Sequence, residues 1–223
     1  NKSVVWTLHD MNPFTGGCHY TGSCRNYKQA CGRCPQLGSD RVDDFAKKIW
    51  LQKQYAYQAL KINPVCPSSW LARCASESKL FSQFNVSVIA NGFPLEVFKP
   101  YPKSQVRNML NLPASMQIIL FGADSLINQR KGFQYLIEAL NRLSALKKAD
   151  KLALVTFGHI PADVKIDSKF PVFSLGFIND EDRIAQIYSA ADVFVIPSLE
   201  DNLPNTAVES IACDTPVVGF NIG

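Results

Sequence analysis

Long hydrophobic runs are missing from this sequence. No apolar stretch in its 223 residues approaches 18, so a membrane-spanning helix is not expected. The opening residues lack the basic, apolar and small-residue succession of a secretory leader. Without an export signal, disulfides are disfavoured, and the sequon Asn85-Val86-Ser87 carries no weight. Repeats and low-complexity tracts are absent too, which sets aside solenoid architectures and disordered tails.

What is present suits one or two globular domains with a real core, since 47% of the residues are apolar. The sequence opens inside an apparent strand, Ser3–Leu8, and stops just after another. The expectation is therefore a piece of a longer protein. The net charge of +4 conceals an asymmetry, because residues 1–100 carry 12 Lys and Arg against 6 Asp and Glu, and residues 101–223 carry 11 against 13. A basic half suits an anionic partner such as a membrane face, a lipid-linked phosphate or a nucleic acid. A generally basic surface is the plainer alternative.

Short β-prone runs alternate with amphipathic stretches. In the first half these are a strand at Ser3–Leu8, a helix at Asp43–Lys61 with Phe45, Ile49 and Ala56 on one stripe, and a strand at Pro64–Ser68. A helix capped by Ser68 or Ser69 and a strand at Val86–Ala90 follow. Pro94, Pro100 and Pro102 then mark a linker. In the second half, strands at Gln117–Phe121, Leu152–Phe157 and Val172–Leu175 alternate with helices. One helix carries Phe133, Leu136, Ile137, Leu140 and Leu143; the other, capped by Asn179 or Asp180, carries Ile184, Ile187, Tyr188 and Ala191. Such alternation means a doubly wound parallel sheet. Its loops at Gly122–Lys131, Gly158-His159 and Gly176–Ile178 should open at one edge. The domains are read as 1–92, a linker at 93–114, and 115–223.

Cys18, Cys24, Cys31 and Cys34 fall within 17 residues and end in a knuckle-like CGRCP. Four thiolates at this spacing suit a closed, structural tetrahedral Zn²⁺ site. Disulfides, a redox CxxC and free thiols remain alternatives, although the redox motif lacks its usual strand-to-helix context.

The organising stretch is 192–219. Val193–Ile196 reads as a buried strand, 197–203 as a polar turn, and Pro204–Cys213 as a helix with Pro204 at its first position. Val208, Ile211 and Ala212 should face the sheet. A strand, loop and helix N-terminus together form a ready anion site, with Asp201 and Glu209 placed to accept sugar hydroxyls. Arg130-Lys131, just before another helix, suits a diphosphate; an exposed basic pair is the plain alternative, though helix dipoles disfavour cations there. His9 ends the first strand, where it reads either as a ligand-facing residue or as a loop histidine with a structural hydrogen bond.

Together these residues resemble the retaining glycosyltransferases of family 4. The likeness is carried by ANGFPLEVFKP near 88–100, QRKGFQYLIEAL, SLGFI, IYSAADVFVIPS, the Glu200–Glu209 stretch and ACDTPVVGF. The opening TLHDMNPFTGGCHY is similar to a bacterial polysaccharide-type subgroup. The resemblance implies an α/β, GT-B-like fold of two Rossmann-like domains with parallel sheets, both incomplete in this chain. It implies that Glu209 binds the donor ribose and that the backbone of Asn202, Leu203, Pro204 and Asn205 holds the phosphates, while Ile178 lies in a loop that sets base and sugar selectivity. By the same resemblance Asp201 sits near the donor sugar, Lys131 neutralises the departing diphosphate with Arg130 beside it, and His9 positions the sugar. Gly122-Ala123 departs from the Gly-Arg often found in the family, and Asp201 replaces a Glu.

The implied activity is retaining transfer of a sugar from a nucleoside diphosphate donor to a glycan or lipid-linked acceptor, in surface polysaccharide synthesis. No cofactor is expected for catalysis, because no DxD-like acid pair offers a catalytic metal site; a Zn²⁺ held by the four cysteines would be structural. The expected location is the cytoplasm, with peripheral contact at the inner face of an anionic membrane; nucleic acid is disfavoured as a partner. The rival readings are a sugar-nucleotide epimerase on the same fold and a non-catalytic nucleotide or nucleic-acid binding module.

Overall fold

The computed structural model describes residues 2–144 and 151–222. By its contacts the chain divides into two units. The first holds the residues up to Gly92 together with Glu200–Leu203; the second holds Phe93–Leu199 and Pro204–Ile222.

In the first unit β1 (Ser3–Thr7), β2 (Lys61–Cys66) and β3 (Ser87–Val88) form a parallel sheet in that order. β1 pairs with β2 from Ser3 opposite Lys61 to Thr7 opposite Val65. The Leu8 amide extends the ladder to the Val65 carbonyl at 2.8 Å, which leaves His9 just beyond the strand's C-terminal end. Short polar residues start both helices, as N-caps should. Asp44 Oδ1 accepts from the Lys47 amide at the head of α1 (Phe45–Tyr57), and Ser68 Oγ accepts from the Leu71 amide at the head of α2 (Ser69–Glu77). The inward stripe of α1 differs from the expected one: Ala46, Trp50 and Tyr57 are buried, while Phe45 is 66% exposed. Turning the helix by one position sends two large rings inward, and Tyr57 meets Phe81 edge-on at 5.6 Å. These rings bury more apolar area than Phe45 and Ala56 would.

The second unit is built on a five-stranded parallel sheet in the order β6-β5-β4-β7-β8. The strands are β4 (Gln117–Ser125), β5 (Leu152–His159), β6 (Val172–Ser174), β7 (Val193–Ile196) and β8 (Val217–Gly219). The helices are α3 (Lys103–Met109), α4 (Phe133–Leu143), α5 (Glu181–Ala190) and α6 (Asn205–Ala212). Alternate residues of β4 and β5 serve the two faces. Ile118, Leu120 and Val155 join a core with Tyr188 and Phe194, and Phe121 and Leu154 join another with Leu136 and Leu140 of α4. From β4 the chain builds outward to β6, then returns to the other side of β4 with β7. That reversal is a topological switch point, and in open α/β sheets ligands bind outside the carboxyl ends of the strands at such a point.

The segment 93–114, read as a linker, groups with this unit. Phe98, Val106, Leu110 and Leu112 are buried in its core, and Arg107 of α3 is only 6% exposed. Its guanidinium donates to the Ala190 and Met116 carbonyls at 2.9 and 3.0 Å and pairs with Asp192 at 2.7 Å. Asp192 also accepts from Lys103 Nζ and the Ile118 amide. Burial pushes the Asp192 carboxyl up, but Lys103, the Ile118 amide and Arg107 together outweigh it and hold the group below the usual carboxylate range.

Helix α6 corrects two expectations. Pro204 is its N-cap and Asn205 its first residue. Ile211 is 64% exposed, while Ser210 and Cys213 point inward. The buried hydroxyls cost little because both are satisfied: Ser210 Oγ donates to the Thr215 carbonyl and Thr215 Oγ1 to the Tyr188 carbonyl. Among the described residues no helix is long and apolar enough to cross a membrane.

Candidate functional site

In the second unit every strand is parallel, so the loops after β4, β5, β6 and β7 share one edge. After β4, Asn128 Oδ1 accepts from the Arg130 amide and starts a single 3-10 turn, Gln129–Lys131. Gly132 ends the turn in the left-handed region at φ 70° and opens α4. A Cβ there would lie 1.8 Å from the Pro197 carbonyl oxygen, so only glycine lets the two loops meet. The Leu199 amide donates to the Arg130 carbonyl at 2.8 Å. The structure thus fixes Arg130-Lys131 against the end of β7, at the switch point. Two cations immediately before α4 oppose that helix's dipole, and an anion bound between them would relieve the conflict.

At this edge of the sheet lies a cavity of about 170 Å³, lined by Ala123, Asp124, Gly158, Phe177, Ile178, Thr206 and Glu209 among others. Ala123 adds an apolar wall and no charge. Phe177 is 58% exposed, an aromatic face suited to stacking. Glu209 lies on α6, and Tyr188 Oη donates to its Oε2 at 2.9 Å. Burial pushes the Glu209 carboxyl up, and the Tyr188 hydrogen bond offsets this only in part. Tyr188 is itself pushed well above its ordinary value, first by burial and then by Glu209, so its phenol stays a donor. One Glu209 oxygen is thereby occupied, and the carboxylate is oriented as an acceptor beside the cavity.

The other predicted residues belong to the first unit. His9 is exposed at the end of β1, and its carbonyl accepts from Asn202 Nδ2 at 3.1 Å. The Asn202 carbonyl oxygen Oδ1 lies 2.6 Å from Ser68 Oγ, which donates to it. Asp201 is buried and accepts from the Asn202 amide at 3.2 Å and from Tyr20 Oη at 3.4 Å. The Gly22 amide donates to Glu200 Oε2 at 2.8 Å. The structure thus brings His9, Asp201, Asn202 and Leu203 into one unit, and Arg130, Lys131, Ile178, Pro204, Asn205 and Glu209 into the other.

Cys18, Cys24, Cys31 and Cys34 line one small cavity of about 10 Å³. All are free thiols. Burial, with the three neighbouring cysteines adding to it, pushes the Cys18 thiol up to about 12. Among the described residues no three His, Cys, Asp or Glu side chains stand in ready ligating geometry.

Comparison with known proteins bears on this arrangement. Residues 117–223 match the family model described as "Glycosyl transferases group 1". Over 97% of its length the chain is 25% identical to WcaC of Escherichia coli K12, a glycosyl transferase assigned by its name to colanic acid biosynthesis, and covers 51% of that protein. The chain spans about half the length of the curated relatives it matches. Among solved structures, all of the chain superposes on 51% of sucrose-phosphate synthase from Thermosynechococcus elongatus, with a TM-score of 0.69 and 21% identity. It also superposes on 54% of HepE of Anabaena, solved with UDP and glucose, with a TM-score of 0.66 and 18% identity. These likenesses give the fold, that of the GT-B glycosyltransferases, as expected from the sequence.

Sequence reasoning missed Tyr188 as the partner of Glu209. It placed Tyr188 correctly on the buried face of its helix, but a core aromatic gives no signal of where its hydroxyl points. Tyr20, Asp124 and Thr206 were missed too, and none of them stands in a distinctive spacing.

Proposed function

We propose that the complete protein is a retaining glycosyltransferase moving a sugar from a nucleoside diphosphate donor to a glycan or lipid-linked acceptor in surface polysaccharide synthesis. The carrying observation is Glu209, a carboxylate held by a buried tyrosine beside a cavity at the C-terminal edge of a parallel sheet. It accepts the ribose hydroxyls of the donor, and Phe177 and Ile178 flank the base. Lys131 and Arg130, with the N-terminus of α6 at Pro204-Asn205, hold the diphosphate and stabilise the charge that develops on it as it leaves. The chemistry is metal-independent, with these cations in the role that a divalent ion would fill. The basic residues of the first unit suit an anionic membrane face at the cytoplasmic side, where a lipid-linked acceptor is presented.

The donor pocket is tested by calorimetric titration of the complete gene product with UDP, GDP and ADP, beside its Glu209→Gln variant. One nucleotide should bind saturably and at least about tenfold more weakly to the variant, the loss of one charge-assisted hydrogen-bonding group. Equal binding by both proteins removes Glu209 from the site, and no binding by any nucleotide removes the donor reading.

A further inference from the structure

The segment from Leu8 to Asp44 is long and almost without regular structure. It holds three single 3-10 turns, at Asn12–Phe14, Asn26–Lys28 and Pro35–Leu37. Loops of this length inside a compact unit need something to hold them. Leu8, Met11, Phe14 and Tyr27 anchor it to the core of the first unit. Between Thr15 and Asp44, Tyr27 and Cys34 are the only buried apolar side chains among the described residues. That is little burial for about thirty residues of ordered backbone.

The backbone around the four cysteines is nonetheless fixed in detail. The turn Cys31-Gly32-Arg33-Cys34 has Gly32 at φ 135° and Arg33 at φ 47°. A Cβ on Gly32 would lie 2.3 Å from the Val42 carbonyl oxygen. The Gly32 carbonyl accepts from Asn26 Nδ2, and the Arg33 amide donates to the Arg41 carbonyl. The Cys34 amide donates to Asp44 Oδ2 at 2.8 Å, which ties the turn to the cap of α1. The Gly16 amide donates to Cys31 Sγ at 3.1 Å, the kind of contact that stabilises a ligating sulfur. The Lys53 ammonium lies within electrostatic reach of Cys31 and Cys18 and is tied to the loop through Asn12 and Thr15.

We propose that Cys18, Cys24, Cys31 and Cys34 bind one structural Zn²⁺ that staples this loop to α1. One small cavity is shared by all four cysteines. The sulfurs need only close around it, and one step between staggered χ1 rotamers moves a cysteine sulfur by about 3 Å. Four sulfur donors with no open position select a closed tetrahedral zinc site and leave none for substrate. Binding converts four thiols and Zn²⁺ into a tetrathiolate complex of charge −2 and releases four protons. Lys53 and the Gly16 amide offset part of that charge. The staple is independent of the donor pocket, since all its ligands lie in the first unit.

The test is elemental analysis of the complete protein, purified under reducing conditions without chelator, alongside Cys31→Ser and Cys74→Ser. Cys74 is a control thiol that does not line the cavity. The wild type and Cys74→Ser should carry about one zinc per chain. Cys31→Ser should carry little, with a lower melting temperature. Titrating the wild type with a mercurial under a zinc-sensitive dye should release that zinc as the thiols are consumed. Metal-free wild type, iron in place of zinc, or a mass 4 Da lower from two disulfides would each overturn the proposal. The wild-type measurement stands even if the Cys31 variant does not fold.

Discussion

The Tyr188–Glu209 pair supports a quantitative prediction. Tyr188→Phe removes one oxygen atom and keeps the ring, whose edge-on contacts with Phe157 and Phe194 at 5.8 and 5.1 Å are apolar. What is lost is a 2.9 Å hydrogen bond to the carboxylate. A hydrogen bond to a charged group contributes about 1.5–3 kcal/mol; because Glu209 is only partly buried, the lower end applies. This bond favours the ionised form, the only form in which Glu209 accepts through both oxygens. Burial already pushes this carboxyl up, so the variant moves it further in the same direction. At about 1.4 kcal/mol per tenfold change in proton affinity, the acid limb of nucleotide binding should shift upward by on the order of one pH unit. Affinity at pH 8 should be nearly unchanged, because both proteins are then ionised. The assay is calorimetric titration of the preferred nucleotide from pH 5 to 8, with circular dichroism to confirm folding. Superimposable pH profiles would show that Tyr188 does not govern Glu209, and a uniform loss at all pH values would assign it a structural role instead.

Two further predictions concern the scaffold beneath the site. Arg107→Met leaves Asp192 with Lys103 and the Ile118 amide, and deprives the Ala190, Ala114 and Met116 carbonyls of their donor. The guanidinium is buried but the Asp192 side chain is 37% exposed, so breaking the pair should cost about 1–2 kcal/mol, below the range for a fully buried one, read by urea denaturation. Asp192 is depressed in the fold, so its contribution is present above its unfolded value and is lost as pH falls through its folded value. Without Arg107 that contribution shrinks, and acid unfolding should begin at higher pH; an unchanged acid midpoint would refute the assignment. Gly132→Ala forces a Cβ into the Pro197 carbonyl at positive φ, and should cost about 2 kcal/mol or more while displacing Arg130-Lys131. Retained stability together with wild-type nucleotide affinity would show that the contact between the two loops is dispensable.

The order of elements in the second unit was legible because parallel strands covered on both faces are continuous apolar runs, and Leu136, Ile137 and Leu140 or Ile187 and Tyr188 recur at helical spacing. Less legible were the places where aromatic mass or buried polarity overrides the pattern. On α1 the stripe through Phe45 and Ile49 has regular spacing, but Trp50 and Tyr57 gain more by burial. On α6 Ile211 is the apolar residue and stays exposed, while Ser210 is buried because the Thr215 carbonyl awaits its hydroxyl. In 93–114 the prolines suggest a linker, although they frame Phe98, Val106 and Leu110, which belong to a core.

Glu209 shows why the candidate site was half visible. Its spacing from Asp201 drew notice, yet spacing carries no information about Tyr188, 21 residues earlier and on another helix. Nor does it reveal that the carboxyl is partly buried at a cost. A group whose folded value is raised contributes stability only below its unfolded value and loses it as pH rises through the folded one. At neutral pH, then, an ionised Glu209 works against the fold. Among the described residues the interactions that shape its titration are burial, the Tyr188 phenol and Glu181, none of them a cation. A glutamine there would keep an acceptor for Tyr188 and remove the charge at no loss of packing. A carboxylate placed where the neutral isostere would serve the fold better fits the proposed function, in which the donor's ribose hydroxyls would use its second oxygen.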